Sequence, residues 1–174
     1  ISCFLNEAND SLHGILELWN ENVWLASKGG GIGSYWGNLR GQGEKVGQAG
    51  KTSGVVPFIR VMDSLTLAIS QGSLRRGSAA CYLPVWHPEI EEFVDLRRPT
   101  GGDPNRKALN LHHGVVISDD FMRAVEGDLD WVLKSPKDGS IQQTIKARSL
   151  WIKILTARME TGEPYLLFID RVNE

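Results

Sequence analysis

The sequence predicts an α/β fold built on a largely parallel sheet. Two observations lead there: segments with apolar residues at helical spacing alternate with short apolar runs, and glycine or proline clusters separate one from the next. No repeat of solenoid period is present.

In chain order, residues 1–5 read as a strand. Asp10 or Ser11 then stands ahead of Leu12, Ile15, Leu16, Trp19, Val23 and Ala26, whose spacing predicts a capped helix over about residues 11–28. Lys28 to Gly33 breaks that helix. Residues 34–53 are glycine-rich with little periodicity, which predicts a long, mobile loop. Phe58, Ile59, Met62, Leu65 and Ile69 restore helical spacing, with Pro57 tolerable in the first turn and an end near Ser70. Residues 71–78 form a second glycine-containing loop with Arg75 and Arg76 at its tip. A strand at 79–83, closed by Pro84, precedes a short helix at 88–96, a turn cluster at 99–104 and a strand at 111–117. A short helix at 119–125, a strand at 131–133 and a turn at 135–139 follow. Ala147, Leu150, Trp151, Ile154, Leu155 and Arg158 give the clearest helical face, ended by Gly162 and Pro164 ahead of a last strand at 165–169.

Composition excludes several classes. With 41% hydrophobic and 23% charged residues the chain can bury a core, and a net charge of −2 without a basic run gives no field for nucleic acid. No apolar run approaches the ~18 residues that span a bilayer, and residues 1–5 lack the charged flank of a signal peptide, so a cytoplasmic protein without a membrane partner is expected. Cys3 and Cys81 are the only cysteines and have no metal-ligand spacing, so no metal site is read from them. The start at Ile1 and the strand close to Glu174 read as a segment of something larger.

Individual candidates keep two readings. Gly29 to Gly33 either cap a helix or let backbone N–H groups approach a phosphate at the carboxyl ends of strands. Arg75 and Arg76 clamp a phosphate or are solvated. Cys3 reads by default as a small core residue, and Asp10 as a cap. His112 and His113 adjoin one strand and so face opposite ways, which argues against joint metal binding.

The order of the segments says more than any one of them. Ile1-Ser2-Cys3-Phe4-Leu5, Asn9-Asp10-Ser11-Leu12, Lys28-Gly29-Gly30-Gly31-Ile32-Gly33 and Ser53-Gly54-Val55-Val56-Pro57-Phe58 occur in that sequence. Residues 70–80, Leu83-Pro84-Val85-Trp86-His87 with Glu89, and Gly162-Glu163-Pro164-Tyr165 before Ile169-Asp170 continue it. This series resembles the barrel domain of ribonucleotide reductase large chains, most of all the aerobic enzymes acting on ribonucleoside diphosphates, and it covers essentially all 174 residues.

The resemblance implies the N-terminal half of a ten-stranded α/β barrel as a single, incomplete domain over 1–174, with about five mainly parallel strands backed by helices and Cys3 on the first. It implies that Cys3 is the strand cysteine under the substrate ribose, forming a disulfide with a second cysteine. Ser2 and Gly31 match substrate-contacting positions. Asp10, Ser11, Leu12 and Arg40 match the binding site of a deoxynucleoside triphosphate or ATP effector, while Gln71 and Arg75 match the loop that reports effector identity to the substrate base. A second phosphate-binding arginine of some relatives falls near Gly47, so Lys45 or Lys51 is expected to replace it.

The finger loop with the thiyl-radical cysteine, the second redox cysteine and the substrate phosphate loop lie outside these residues. The segment alone is therefore expected to be inactive and to bind no cofactor directly. Its implied partners are the remaining barrel half, a second large chain and a radical-generating subunit. Ile15, Trp19, Asn22 and Ala26 share a helix face that either pairs with its twin in a dimer or packs on the sheet. A non-catalytic nucleotide-binding module of the same fold is the alternative, distinguished by whether Cys3 is used.

Overall fold

The computed structural model describes residues 2–48, 50–70 and 77–174. The sheet strands are β1 (Cys3–Glu7), β2 (Gly31–Tyr35), β5 (Ser78–Pro84), β6 (His112–Ile117) and β9 (Tyr165–Phe168). The long helices between them are α1 (Leu12–Ser27), α2 (Val56–Ser70) and α5 (Ala147–Thr161), joined by the shorter α3 (Ile90–Val94), α4 (Asp119–Glu126) and, after β9, α6 (Ile169–Val172). Two small antiparallel hairpins complete the fold: β3 (Lys45–Val46) with β4 (Gly50–Lys51), and β7 (Asp130–Lys134) with β8 (Ile141–Lys146). Among the described residues no helix is long and apolar enough to cross a membrane.

All pairings in the five-stranded sheet are parallel, and its spatial order β1-β2-β5-β6-β9 follows the chain. Right-handed crossovers that always step in one direction place their helices on one face. Burial follows that rule. Ala8, Ile32, Trp36, Ala79, Cys81, Leu83, Val115 and Ile117 are buried against helices. The alternate residues Cys3, Leu5 and Glu7 are exposed on the other face, Leu5 to 87%. A parallel sheet normally has both faces covered. Open on one side and singly wound, this one is an arc of a barrel wall, as the resemblance implies.

Local chemistry sets the helix ends. Ser11 is extended (φ −151°) and its Oγ accepts the Gly14 N–H at 3.0 Å, capping α1. Ser118 caps α4 in the same way, and Gly162 ends α5 with φ 79°.

The glycine run after α1 corrects the sequence reading. Gly29 and Gly30 turn the chain, but Gly31 to Tyr35 are a central strand, entered at its amino end, so this run is no phosphate loop at a carboxyl edge. Its glycines permit close approach: a Cβ on Gly30 would lie 3.2 Å from the Phe4 ring. The stretch expected as a free loop contains the end of β2 and the β3–β4 hairpin. It is tied down by Arg40 to Asp10 and by Ser135 to the Glu44 carboxylate. β8 carried no periodic signal because most of its residues are exposed and polar.

The α1 stripe is also decided. Ile15, Asn22 and Ala26 are buried within the chain. The Asn22 amide donates to Ser34 Oγ at 3.1 Å and accepts from Asn6 Nδ2 at 2.7 Å, while Trp19 packs on Phe58 with ring centroids 6.0 Å apart. That face therefore packs on the sheet and α2. Leu12, Leu16 and Trp24, at 65%, 50% and 63% exposure, form the outward ridge instead.

Candidate functional site

Two sites lie at opposite ends of the same pair of strands. At the carboxyl ends of β1 and β2 the chain turns through Asp10 into α1, and the strand-to-hairpin connection brings Arg40 alongside. Arg40 Nε donates to Asp10 Oδ2 at 2.8 Å, its backbone N–H to Asp10 Oδ1 at 3.2 Å, and its Nη1 to the Lys45 carbonyl at 2.6 Å. The pair borders a cleft of about 390 Å³ that Ser11 and Leu12 also line. Its floor is apolar, from Ile15, Leu39 and Phe58, and its far wall carries Lys51, Thr52 and Ser53. The first turn of α1 contributes N–H groups with no intrahelical partner. An apolar floor with cationic and N–H groups at the rim suits a ligand with a flat, weakly polar part and an anionic part.

The structure thus gathers Asp10, Ser11, Leu12 and Arg40 around one cavity, although Arg40 is 30 residues from Asp10. It also separates the two lysines offered in place of an arginine near Gly47: Lys51 lines the cleft, whereas Lys45 supplies its carbonyl to Arg40.

At the amino ends of the strands, Cys3 pairs in register with Gly31, and Gly31 with Ser78, so the three share the open face. Cys3 is exposed, which overturns its default reading as a core residue. A Cβ at Gly31 would sit 3.6 Å from Cys3 Sγ and 3.9 Å from Ser78 Oγ, so the glycine keeps the surface beside the thiol low. Ser2 is exposed next to it, and its carbonyl accepts the Gly31 N–H at 2.7 Å. Cys81 lies on the helix-covered face, where burial pushes its thiol far up and keeps it protonated. Gln71 and Arg75, the candidates for reporting effector identity, lie outside the described residues.

Sequence reasoning missed a cluster on β6. His112 and His113 do face opposite sides of the sheet, yet both reach Glu163, which stands just ahead of β9. His112 Nδ1 bonds one carboxylate oxygen, while His113 Nδ1 and backbone N–H each lie 3.0 Å from the other. Arg97 adds a contact at 3.5 Å. Burial disfavours the charge on Glu163, but the hydrogen bonds from His113 and His112 outweigh it and bring the carboxyl down to about 2. The Tyr165 ring stacks on His112. No local pattern reveals this cluster, because its partners are 50 residues apart.

A singly wound parallel sheet with helices on one face, a thiol on the other and a polar-rimmed cleft at its carboxyl edge defines part of an α/β barrel domain. The chain belongs to the ribonucleotide reductase family, whose barrel domain matches residues 1–174. It is 46% identical over 173 residues to a Frog virus 3 protein described as "Putative ribonucleoside-diphosphate reductase large subunit", covering 99% of this chain and 29% of that protein. It is 40% identical to the ribonucleoside-diphosphate reductase large subunit of Invertebrate iridescent virus 6, covering 100% of this chain and 18% of that one. Identity to the ribonucleoside-diphosphate reductase subunit alpha of Chlamydia muridarum is 32%, over 99% of this chain and 19% of that protein. The chain spans less than a third of the length of these relatives.

Proposed function

We propose that these residues form the first half of the catalytic barrel of a ribonucleoside-diphosphate reductase large chain, acting in the cytoplasm, where thiols stay reduced. The observation that carries this reading is the pairing of an exposed Cys3 with the Asp10–Arg40 cleft at the other end of the same strands. β1 is five residues long, so redox and nucleotide chemistry are separated by roughly 13 Å of rigid strand. In the proposed reaction the ribose 2′-hydroxyl leaves as water and two thiols, Cys3 and a second cysteine, become one disulfide. Cys81 is buried on the far side of the sheet and cannot be that second thiol. The second thiol and the radical-bearing cysteine lie outside these 174 residues, which by themselves are inactive.

The cleft binds a deoxynucleoside triphosphate or ATP as effector, with Arg40, Lys51 and the α1 N-terminus on the phosphates. A second large chain packs against the Leu12, Leu16 and Trp24 ridge, which leaves an exposed apolar strip on this one. The open sheet face is covered by the other barrel half, and a separate subunit generates the radical. The exposure of Cys3 favours chemistry over a purely regulatory nucleotide-binding module.

The test uses the reductase assembled around this chain. Cys3→Ser should abolish turnover and leave deoxynucleoside triphosphate affinity unchanged. Triphosphate should raise the melting temperature by mass action, and Arg40→Ala should suppress that rise more than Asp10→Ala. Full turnover with Cys3→Ser would remove the redox role, and a melting temperature indifferent to triphosphate would remove the effector role.

A further inference from the structure

The segment between β5 and α3, Trp86-His87-Pro88-Glu89, touches both arms of the nucleotide cleft without lining it. His87 and Glu89 are 1% and 6% exposed, and buried polar side chains are costly unless they are hydrogen-bonded. Both direct those bonds at the cleft. His87 Nε2 donates to the Leu39 carbonyl at 2.7 Å, and its Nδ1 accepts the Glu89 N–H at 3.1 Å. This assigns a neutral ring with the proton on Nε2, in keeping with burial, which lowers His87 to about 4. Glu89 Oε2 accepts the Val55 N–H at 2.8 Å. Gly54, with φ 90°, leaves room for that carboxylate: a Cβ there would fall 2.2 Å from Glu89 Oε1. Pro88 lies against Gly41. Arg106 joins from the Pro104–Arg106 turn, donating to the Ser53 carbonyl at 3.1 Å and contacting Glu89 Oε1 at 3.3 Å and the Glu92 carboxylate.

Three successive residues thus fix the arm 39–41 on one side and 53–55 on the other. Those arms carry Leu39, Arg40, Ser53 and Gly54 of the cleft lining. We infer that His87 and Glu89 are positioning residues of the nucleotide cleft, setting the separation of its two arms to that required by a nucleoside triphosphate. The inference rests on the reading of the cleft as a nucleotide site.

The experiment measures dATP affinity of the assembled reductase and amide hydrogen exchange of residues 39–41 and 53–56. Glu89→Leu, which keeps the volume and loses the acceptor, should weaken dATP by ~10-fold and speed exchange at 53–56, the scale of one buried N–H left without its acceptor. Glu89→Gln retains an oxygen for the Val55 N–H and should restore both to within ~3-fold of the unaltered protein, a rescue that generic loss of packing does not produce. Arg106→Met, at a partly exposed position, gives the same readout by untying Ser53 if Glu89→Leu does not fold. Unaltered dATP affinity in Glu89→Leu or Arg106→Met, with Arg40→Ala still deficient, overturns the positioning role and leaves the nucleotide reading intact. Absence of dATP binding by the unaltered protein overturns both.

Discussion

Replacing Glu89 with glutamine should make the protein more stable at pH 8, although it removes a charge from a site with an arginine beside it. Burial raises the Glu89 carboxyl from 4.5 to about 7, against the pull of the Val55 N–H, with Glu92 adding to the rise and Arg106 opposing it. The folded state therefore prefers the protonated acid. A raised folded pKa means that stability is fully present below the unfolded value near 4.5 and is lost as pH climbs through about 7. At about 1.4 kcal/mol per pH unit, the loss approaches 3 kcal/mol by pH 8. Glutamine mimics the neutral acid in shape and carries no such charge. The difference between Glu89→Gln and the unaltered protein should be near zero at pH 4.5 and grow to about 3 kcal/mol at pH 8, a shift of roughly 1.5 M in the urea midpoint. Parallel urea titrations across that range measure it, and other titrating groups cancel in the difference. A glutamine variant no more stable than the unaltered protein at pH 8 would refute the claim that the ionised carboxylate is held at a cost. A more stable glutamine variant means that the carboxylate is retained for the cleft arms rather than for stability, a trade-off common at functional sites.

Other perturbations test the remaining geometry. Cys3 should react with a thiol reagent in the folded protein while Cys81 reacts only on unfolding; mass-mapped labelling that modifies both at equal rates would contradict their opposite faces. Gly114→Ala puts a Cβ 2.5 Å from the Tyr82 ring and should destabilise the protein by about 1–3 kcal/mol in thermal or urea unfolding. Glu163→Gln should be destabilising at pH 7. Because the Glu163 carboxyl is lowered to about 2, its contribution exists above pH 4.5 and fades toward pH 2, so the gap between variant and unaltered protein should close on acidification. A gap that widened in acid would reverse the assigned sign.

How much was legible in the sequence varies by element for physical reasons. α1, α2 and α5 announced themselves because one face of each is buried and the spacing of apolar residues records it. β2 was hidden: Gly31 and Gly33 have no side chain to show a period, and a Cβ on Gly33 would lie 2.9 Å from the Leu5 side chain of the neighbouring strand. The four cleft residues Asp10, Ser11, Leu12 and Arg40 were visible only through the resemblance, since no spacing rule links position 10 to position 40. His87, Glu89 and Glu163 were missed as a working set because each finds its partners 34 to 50 residues away.

By itself the sequence determined most of the alternation of helix and strand, a helix start at Asp10 or Ser11, the stop at Gly162, the parallel character of the sheet and the family, while the structure chose Ser11 as the cap and gave Asp10 to Arg40. Only the tertiary structure decided which face each element turns inward. In β1 apolar residues occupy both faces, Phe4 on one and Cys3 and Leu5 on the other, so alternation in the sequence cannot choose between them. The choice comes from handedness: crossovers that step one way across the sheet put the helices on the Phe4 side, and Cys3 is left on the open side. The same long-range geometry turns Ile15, Asn22 and Ala26 into core and leaves Leu12, Leu16 and Trp24 outside, because a helix stripe records that it is buried and not what it is buried against.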